Sequence, residues 1–281
     1  MDAITSPSPS APIPAELLLR AYRAGIFPMA DSRDDEQVYW VEPRERAIIP
    51  LDGFRCSRSL ARTLRRERFR VTCNAGFAAV LDACAAPRPD HPETWISHRI
   101  SASYLALHAK GHAHSIECWE GEELVGGLYG VAFDRAFCGE SMFSRRRDAS
   151  KVALAWLVAL LRQAGTTLLD CQFMTDHLAS MGAVAVSRDE YLRRLAAAVA
   201  EGPAESLPVA YSAVMASAGA GGGTSVAGAE GCGAGSAAAA GAAAGAGAER
   251  DEVDRDEVGR AERGKASSPG KLIAQSLTQT S

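Results

Sequence analysis

Asp170 and Gln172, separated only by Cys171, are the side chains whose types and spacing most readily do chemistry in this sequence. They end a short β-prone run, Thr166 to Leu169, where successive side chains alternate between faces. That alternation predicts Asp170 and Gln172 on one face and Cys171 on the other. A ligand there would meet a carboxylate acceptor beside an amide that both donates and accepts. Other groups are weaker candidates. His108, His112 and His114 have no carboxylate cluster nearby, and Gly111 interrupts their helical spacing, so no metal site is assigned. Ser141, Cys138 and Cys171 lie centrally, but none sits in a G-x-S-x-G elbow. Gly126, Gly127 and Gly130 interrupt a strand pattern and do not open a helix; they predict a bulge or the close approach of a ligand.

Positioning the Asp-x-Gln pair requires the elements just before it. The run Ala136 to Ser144 reads as a strand and the following polar turn leads to a helix, with Asp148 as N-cap and Gly165 as the stop. Val152, Leu154, Ala155, Leu157, Val158, Leu160 and Leu161 are too dense for one stripe, which predicts a helix buried over most of its surface. Upstream, residues 15–24 predict a helix stopped by Gly25, then an apolar loop Ile26 to Met29 and short strands at 39–41 and 47–51. A helix at 75–84 is expected with Asn74 as its cap, followed by a Pro-rich breaker at 86–92 and a helix at 100–110. From His112 onward the pattern becomes an antiparallel meander.

A second signal is charge. Ser57 can cap a helix carrying Arg58, Arg62 and Arg65 at i, i+4 and i+7, with Arg66 next and Leu60 and Leu64 on another face. Glu67 is the single acid among the arginines of residues 55–70. Guanidinium forks of one sign suit phosphate recognition, so this stripe points to a polyanion. The whole chain of 281 residues is mildly acidic, with net charge −4, which excludes a globally basic nucleic-acid binder. Seven cysteines without paired short spacings read as reduced thiols, and no signal peptide or membrane-length apolar run is evident; cytoplasmic is the expectation. Beyond residue 205 the chain becomes Ala/Gly-rich and then charged, which predicts disorder over 206–281, as does the Pro/Ser-rich start over 1–14.

The strings GIFPM, SRSL.RTLRR, TWI, GHAHSIE, LVGGLYGVA, FCGESMFSR, ASK.AL and DCQ, in this order across residues 15–195, resemble the leucyl/phenylalanyl-tRNA–protein transferase family. The resemblance implies an α+β fold: a small N-terminal domain (15–93), then an N-acetyltransferase-like (GNAT-type) mixed sheet with helices (94–205). It implies transfer of Leu or Phe, and less well Met, from Leu-tRNA or Phe-tRNA to the N-terminal Arg or Lys of an acceptor protein by a monomer, marking that protein for N-degron degradation. No cofactor or metal is implied. Asp170 and Gln172 would handle the attacking amine. Glu140 would hold either the amino group of the aminoacyl moiety or the cationic first side chain of the acceptor. Tyr22, Met29, Trp95, Leu128, Phe137, Met142, Leu157 and Leu169 would form the apolar pocket, and Arg58, Arg62, Arg65 and Arg66 would meet tRNA phosphates. Met29 stands where many members carry Trp, and the low-complexity tail departs from the family pattern. The alternatives are an acyl-CoA-dependent N-acetyltransferase, disfavoured by a glycine-free turn Ser144 to Ala149, and a noncatalytic RNA-binding module, disfavoured by the Asp-x-Gln pair.

Overall fold

The computed structural model describes residues 11–87, 93–219 and 267–278. In chain order the first half comprises α1 (Ala15–Arg23), β1 (Phe27–Met29), β2 (Tyr39–Val41), β3 (Glu45–Ile48), α2 (Arg58–Arg65), β4 (Arg70–Cys73), α3 (Phe77–Ala85) and α4 (His98–Ala109). There follow β5 (Ala113–Glu120), β6 (Glu123–Phe133), β7 (Ala136–Ser144), α5 (Ala149–Ala164) and β8 (Leu168–Asp170). The last elements are α6 (Asp176–Ser180), β9 (Val184–Ser187), α7 (Arg188–Ala200), α8 (Leu207–Gly219) and α9 (Pro269–Thr278).

Seven strands form one mixed sheet in the order β4-β5-β6-β7-β8-β3-β9. Only β7 and β8 pair in parallel; their connection needs a crossover, and α5 provides it. This is the α+β architecture expected, with strands β3 and β4 drawn from before the 93/94 boundary and the others from after it. Each sheet face has its own core. One contains α5 with apolar residues of α2, α8 and α9; the other is built from α1, α3, α4 and α7. Helix α5 is buried along nearly its whole length, as its dense apolar pattern requires. Gly165 ends it in the left-handed conformation at φ 74°. Asp148 occupies the N-cap position but is itself left-handed and makes no capping bond; Ser144 Oγ accepts from the Ser150 N–H at 3.3 Å instead.

The structure corrects several local expectations. Residues 27–29 form a strand paired with β2, not a loop. Asn74 does not cap α3, because its side chain is engaged by the Ser115 N–H at 3.0 Å and by His114. Ile13 is buried and donates its N–H to Ser103 Oγ at 2.8 Å, so disorder does not extend over 11–14.

The reading of 206–281 as wholly disordered is also corrected. Helix α8 packs on α5, and α9 buries Ile273, Ala274 and Leu277 against α2, α5 and α8. Glu67, the lone acid of the Arg-rich stretch, accepts the Gly270 N–H at 2.9 Å. A Cβ at Gly270 would lie 2.2 Å from the Leu64 carbonyl oxygen, so this contact needs glycine. Apolar burial of Ile273, Ala274 and Leu277 thus holds α9 in place. Expectations for residues 1–10, 88–92, 220–266 and 279–281 lie outside the described residues. Among the described residues, no helix is long and apolar enough to cross a membrane.

Candidate active site

Glu140 owes its position to an irregular ladder. Tyr129 pairs with Ser141 and Gly130 with Gly139, which leaves Glu140 as the extra residue of a β-bulge in β7. A Cβ on Gly130 would sit 2.3 Å from the Cys138 carbonyl oxygen and 2.4 Å from the Phe137 ring. Glycine at 130 therefore permits the close strand approach that the bulge needs, which is the role anticipated for this glycine group.

The Glu140 carboxyl is buried and meets three polar partners. Tyr22 Oη lies 2.8 Å from Oε1, and Tyr104 and Gln172 Nε2 reach Oε2 at 2.8 and 3.0 Å. The two phenol oxygens are themselves 2.7 Å apart. Three oxygen pairs thus close a ring through Tyr22, Tyr104 and Glu140, yet the two phenols carry only two protons between them. A third proton on Glu140 completes the ring. Burial pushes this carboxyl up, the donors Tyr104, Tyr22 and Gln172 pull it back, and the Asp170 charge raises it further, to about 7.

Asp170 and Gln172 do not share a face as alternation predicted. Strand β8 ends at Asp170, and Gln172 is left-handed at φ 62°. Asp170 turns inward: Oδ1 accepts from Arg46 Nε at 3.2 Å and from the Gln172 N–H at 2.8 Å. Its Oδ2 accepts from Arg46 Nη2 and from the Tyr191 hydroxyl at 3.0 Å. Gln172 turns instead into a cavity of about 610 Å³, whose wall also includes Glu140 and Cys171. The Gln172 amide oxygen makes no hydrogen bond to a described residue. Cys171 is thus on the cavity side, contrary to expectation; burial raises its thiol pKa, so it is protonated and a poor nucleophile.

Six of the eight residues expected in the apolar pocket line this cavity: Met29, Trp95, Leu128, Met142, Leu157 and Leu169. Tyr22 stands behind Glu140, and Phe137 is buried against Gly130 in the core, so neither reaches the cavity. Sequence reasoning missed Leu154, Phe173, His177 and Leu178, all in the wall. Leu154 lies one helical turn before Leu157 and was legible from that spacing; Phe173 follows the strand in an irregular stretch, and His177 and Leu178 sit on the short helix α6, whose five residues give no periodicity to read. His177 has a buried Nε2 without a hydrogen-bond partner among the described residues, and burial together with Lys151 lowers its pKa.

Ser57 caps α2 as expected, accepting from the Leu60 N–H at 3.2 Å. Leu60, Ala61 and Leu64 face the core, while Arg58, Arg62, Arg65 and Arg66 are exposed and form no ion pair with a described acid. A cationic face is therefore available to a polyanion. The glycine-free turn before α5, by contrast, is tied down, with Arg146 bridging Glu120 and Glu123.

The family model described as "Leucyl/phenylalanyl-tRNA protein transferase" matches residues 48–196, and that of its N-terminal domain matches residues 12–44. A leucyl/phenylalanyl-tRNA–protein transferase of Novosphingobium aromaticivorans is 61% identical over 96% of this chain and 97% of its own. One from Rhizorhabdus wittichii is 61% identical over 65% of this chain and 74% of its own. Among solved structures, the C-terminal domain of a putative lysylphosphatidylglycerol synthetase from Agrobacterium fabrum is similar at TM-score 0.34 and 14% identity, over 59% of this chain and 54% of that one. That last likeness is too weak to carry a fold assignment.

Proposed function

Because the chain belongs to the leucyl/phenylalanyl-tRNA protein transferase family, and is accordingly an aminoacyltransferase acting from aminoacyl-tRNA to protein, we propose that it transfers Leu or Phe, and less well Met, to an N-terminal Arg or Lys and so creates a degradation signal. The observation that carries this reading is the Gln172 amide set against the Glu140 carboxyl in the wall of one apolar cavity. The donor is an ester, already activated, so aminolysis needs no ATP, metal or coenzyme. The α-amine, with an ordinary pKa near ~8, must be held neutral and aligned. Its nitrogen forms a bond to the ester carbonyl carbon, the carbon–oxygen bond to the ribose breaks, and the amine proton ends on the ribose oxygen. Gln172 Oε1 accepts from the amine and orients it; a neutral amide is too weak a base to do more. Glu140, in the cavity wall beside Gln172, accepts from the amino group of the aminoacyl moiety.

The side chain of that moiety packs among Met29, Trp95, Leu128, Met142, Leu157 and Leu169. An apolar wall gains from each buried methylene but rejects isosteres weakly, which is why Met is tolerated. Arg58, Arg62, Arg65 and Arg66 meet acceptor-stem phosphates, giving affinity that depends on salt more than on base sequence. The β7-α5-β8 unit beside a bulged strand supports the acetyltransferase-like reading of the fold. The turn into α5, Ser144 to Ala149, has no glycine and Arg146 is held by Glu120 and Glu123, which favours a donor other than coenzyme A.

Incubation with radiolabelled leucyl-tRNA and an Arg-initiated peptide, without ATP, tests the reading. Label in the peptide supports it. Acetylation from acetyl-CoA, or tRNA binding without transfer, would favour one of the alternatives and sink it.

A further inference from the structure

The chemistry proposed for Gln172 leaves Arg46 and Tyr191 without a role, although both are almost completely buried immediately behind it. Arg46 is on β3, between β8 and β9 in the sheet, and its guanidinium is used on every side. Nε and Nη2 fork onto Asp170, Nη1 donates to the Gly25 carbonyl at 2.9 Å, and Nη2 also reaches the Tyr191 hydroxyl at 3.1 Å. Its plane lies over the rings of Phe27 at 4.9 Å and Tyr191 at 4.3 Å. Phe27 in turn packs edge-on against Phe173, the cavity residue next to Gln172.

Asp170 is thereby saturated: two contacts from Arg46, one from Tyr191 and one from the Gln172 N–H. Its charge is neutralised at contact distance and neither oxygen faces the cavity. What it still does is local. A non-glycine residue in the left-handed region is held there at a cost. Here the cost is met from both ends, since Asp170 accepts the Gln172 N–H and the Gln172 carbonyl accepts the Ala47 N–H at 3.0 Å. This turn is what sends the Gln172 amide into the cavity.

We propose that Arg46 and Tyr191 are positioning residues of the transfer reaction: by saturating Asp170 they make it the fixed acceptor that locks Gln172 in its left-handed turn, and Asp170 takes no proton in the reaction. The inference rests on the cavity being the aminoacyl-transfer site. If Asp170 works only as a hydrogen-bond acceptor, its charge is dispensable once Arg46 is neutral too, because an asparagine oxygen can accept the same N–H.

The test compares Arg46→Gln, Asp170→Asn and the double variant in single-turnover leucine transfer, with melting and leucyl-tRNA filter binding alongside. Each single variant leaves one buried charge unpaired and is expected to lose about 100-fold or more in turnover. The double variant is expected to recover to within about tenfold of the parent, with unchanged tRNA affinity and the same pH limbs. A folded, tRNA-binding double variant that stays about 1,000-fold down, or loses a pH limb, overturns the proposal. Tyr191→Phe keeps both charges and removes one bond to Asp170, so it decides the matter if the double variant does not fold. It should lower turnover several-fold at unchanged tRNA affinity, and parent-like turnover would overturn the proposal. Absence of transfer by the parent protein itself would instead refute the functional reading beneath it.

Discussion

Replacing Glu140 by Gln should stabilise the protein at neutral and alkaline pH while impairing transfer. In the ring formed with Tyr22 and Tyr104, a protonated carboxyl supplies the third hydrogen, and a glutamine amide placed toward Tyr22 supplies the same one. Its oxygen would still accept from Tyr104 and Gln172. The carboxyl pKa is about 7 in the folded chain against 4.5 for the unperturbed group. The folded state therefore binds more protons between those values. The stability Glu140 contributes is fully present below pH 4.5 and is lost as pH rises through 7. At 1.36 kcal/mol per unit, the loss is roughly 3 kcal/mol. Urea unfolding of both proteins from pH 4.5 to 8.5 at fixed salt measures it. The expected difference, variant minus parent, rises with pH across this range by about that amount and levels off above 7. Other titrating groups, such as His114 with its pKa lowered to about 4 by burial, are common to both proteins and cancel. A difference independent of pH would refute the ring and the protonation assigned to it.

Gly130→Ala should cost more than about 2 kcal/mol and reduce transfer together with stability, since the new methyl collides with the Cys138 carbonyl and the bulge that aims Glu140 must shift; a parent-like melting temperature would remove the steric argument. Ile273→Ala should destabilise by about 2–4 kcal/mol, because the side chain is almost wholly buried in the core shared with α2 and α5. Unchanged chemical denaturation would show that α9 does not dock in solution. Replacing Arg62 and Arg65 with Glu should weaken charged-tRNA binding and lower the slope of log affinity against log salt by roughly 2. An unaltered slope would locate the phosphates elsewhere.

The parts legible in the sequence were those where one local rule operated alone. The density of apolar residues in α5, the Ser57 cap and the Gly165 stop required no knowledge of distant neighbours, and six cavity residues followed from the family pattern. Failures came where tertiary contacts overrode a local rule. Alternation placed Asp170 beside Gln172, but the strand ends at Asp170 and the next turn is left-handed. Three glycines signalled an irregular β6, where Val125 is indeed left over against β5, yet nothing local showed that Glu140 would be left over on β7. Nothing local singled out Arg46, because its partners Asp170 and Tyr191 lie 124 and 145 residues away in sequence. The α9 helix offers only one short apolar stripe after a long low-complexity segment; docking against α2 and α5, not intrinsic propensity, orders it.

The most direct measurement of the central claim is the single-turnover rate of leucine transfer by Gln172→Leu at saturating leucyl-tRNA. Leucine fills similar volume but removes the amide that orients the amine, so the rate should fall about 100-fold or more with tRNA affinity unchanged. Transfer at the parental rate would contradict the account.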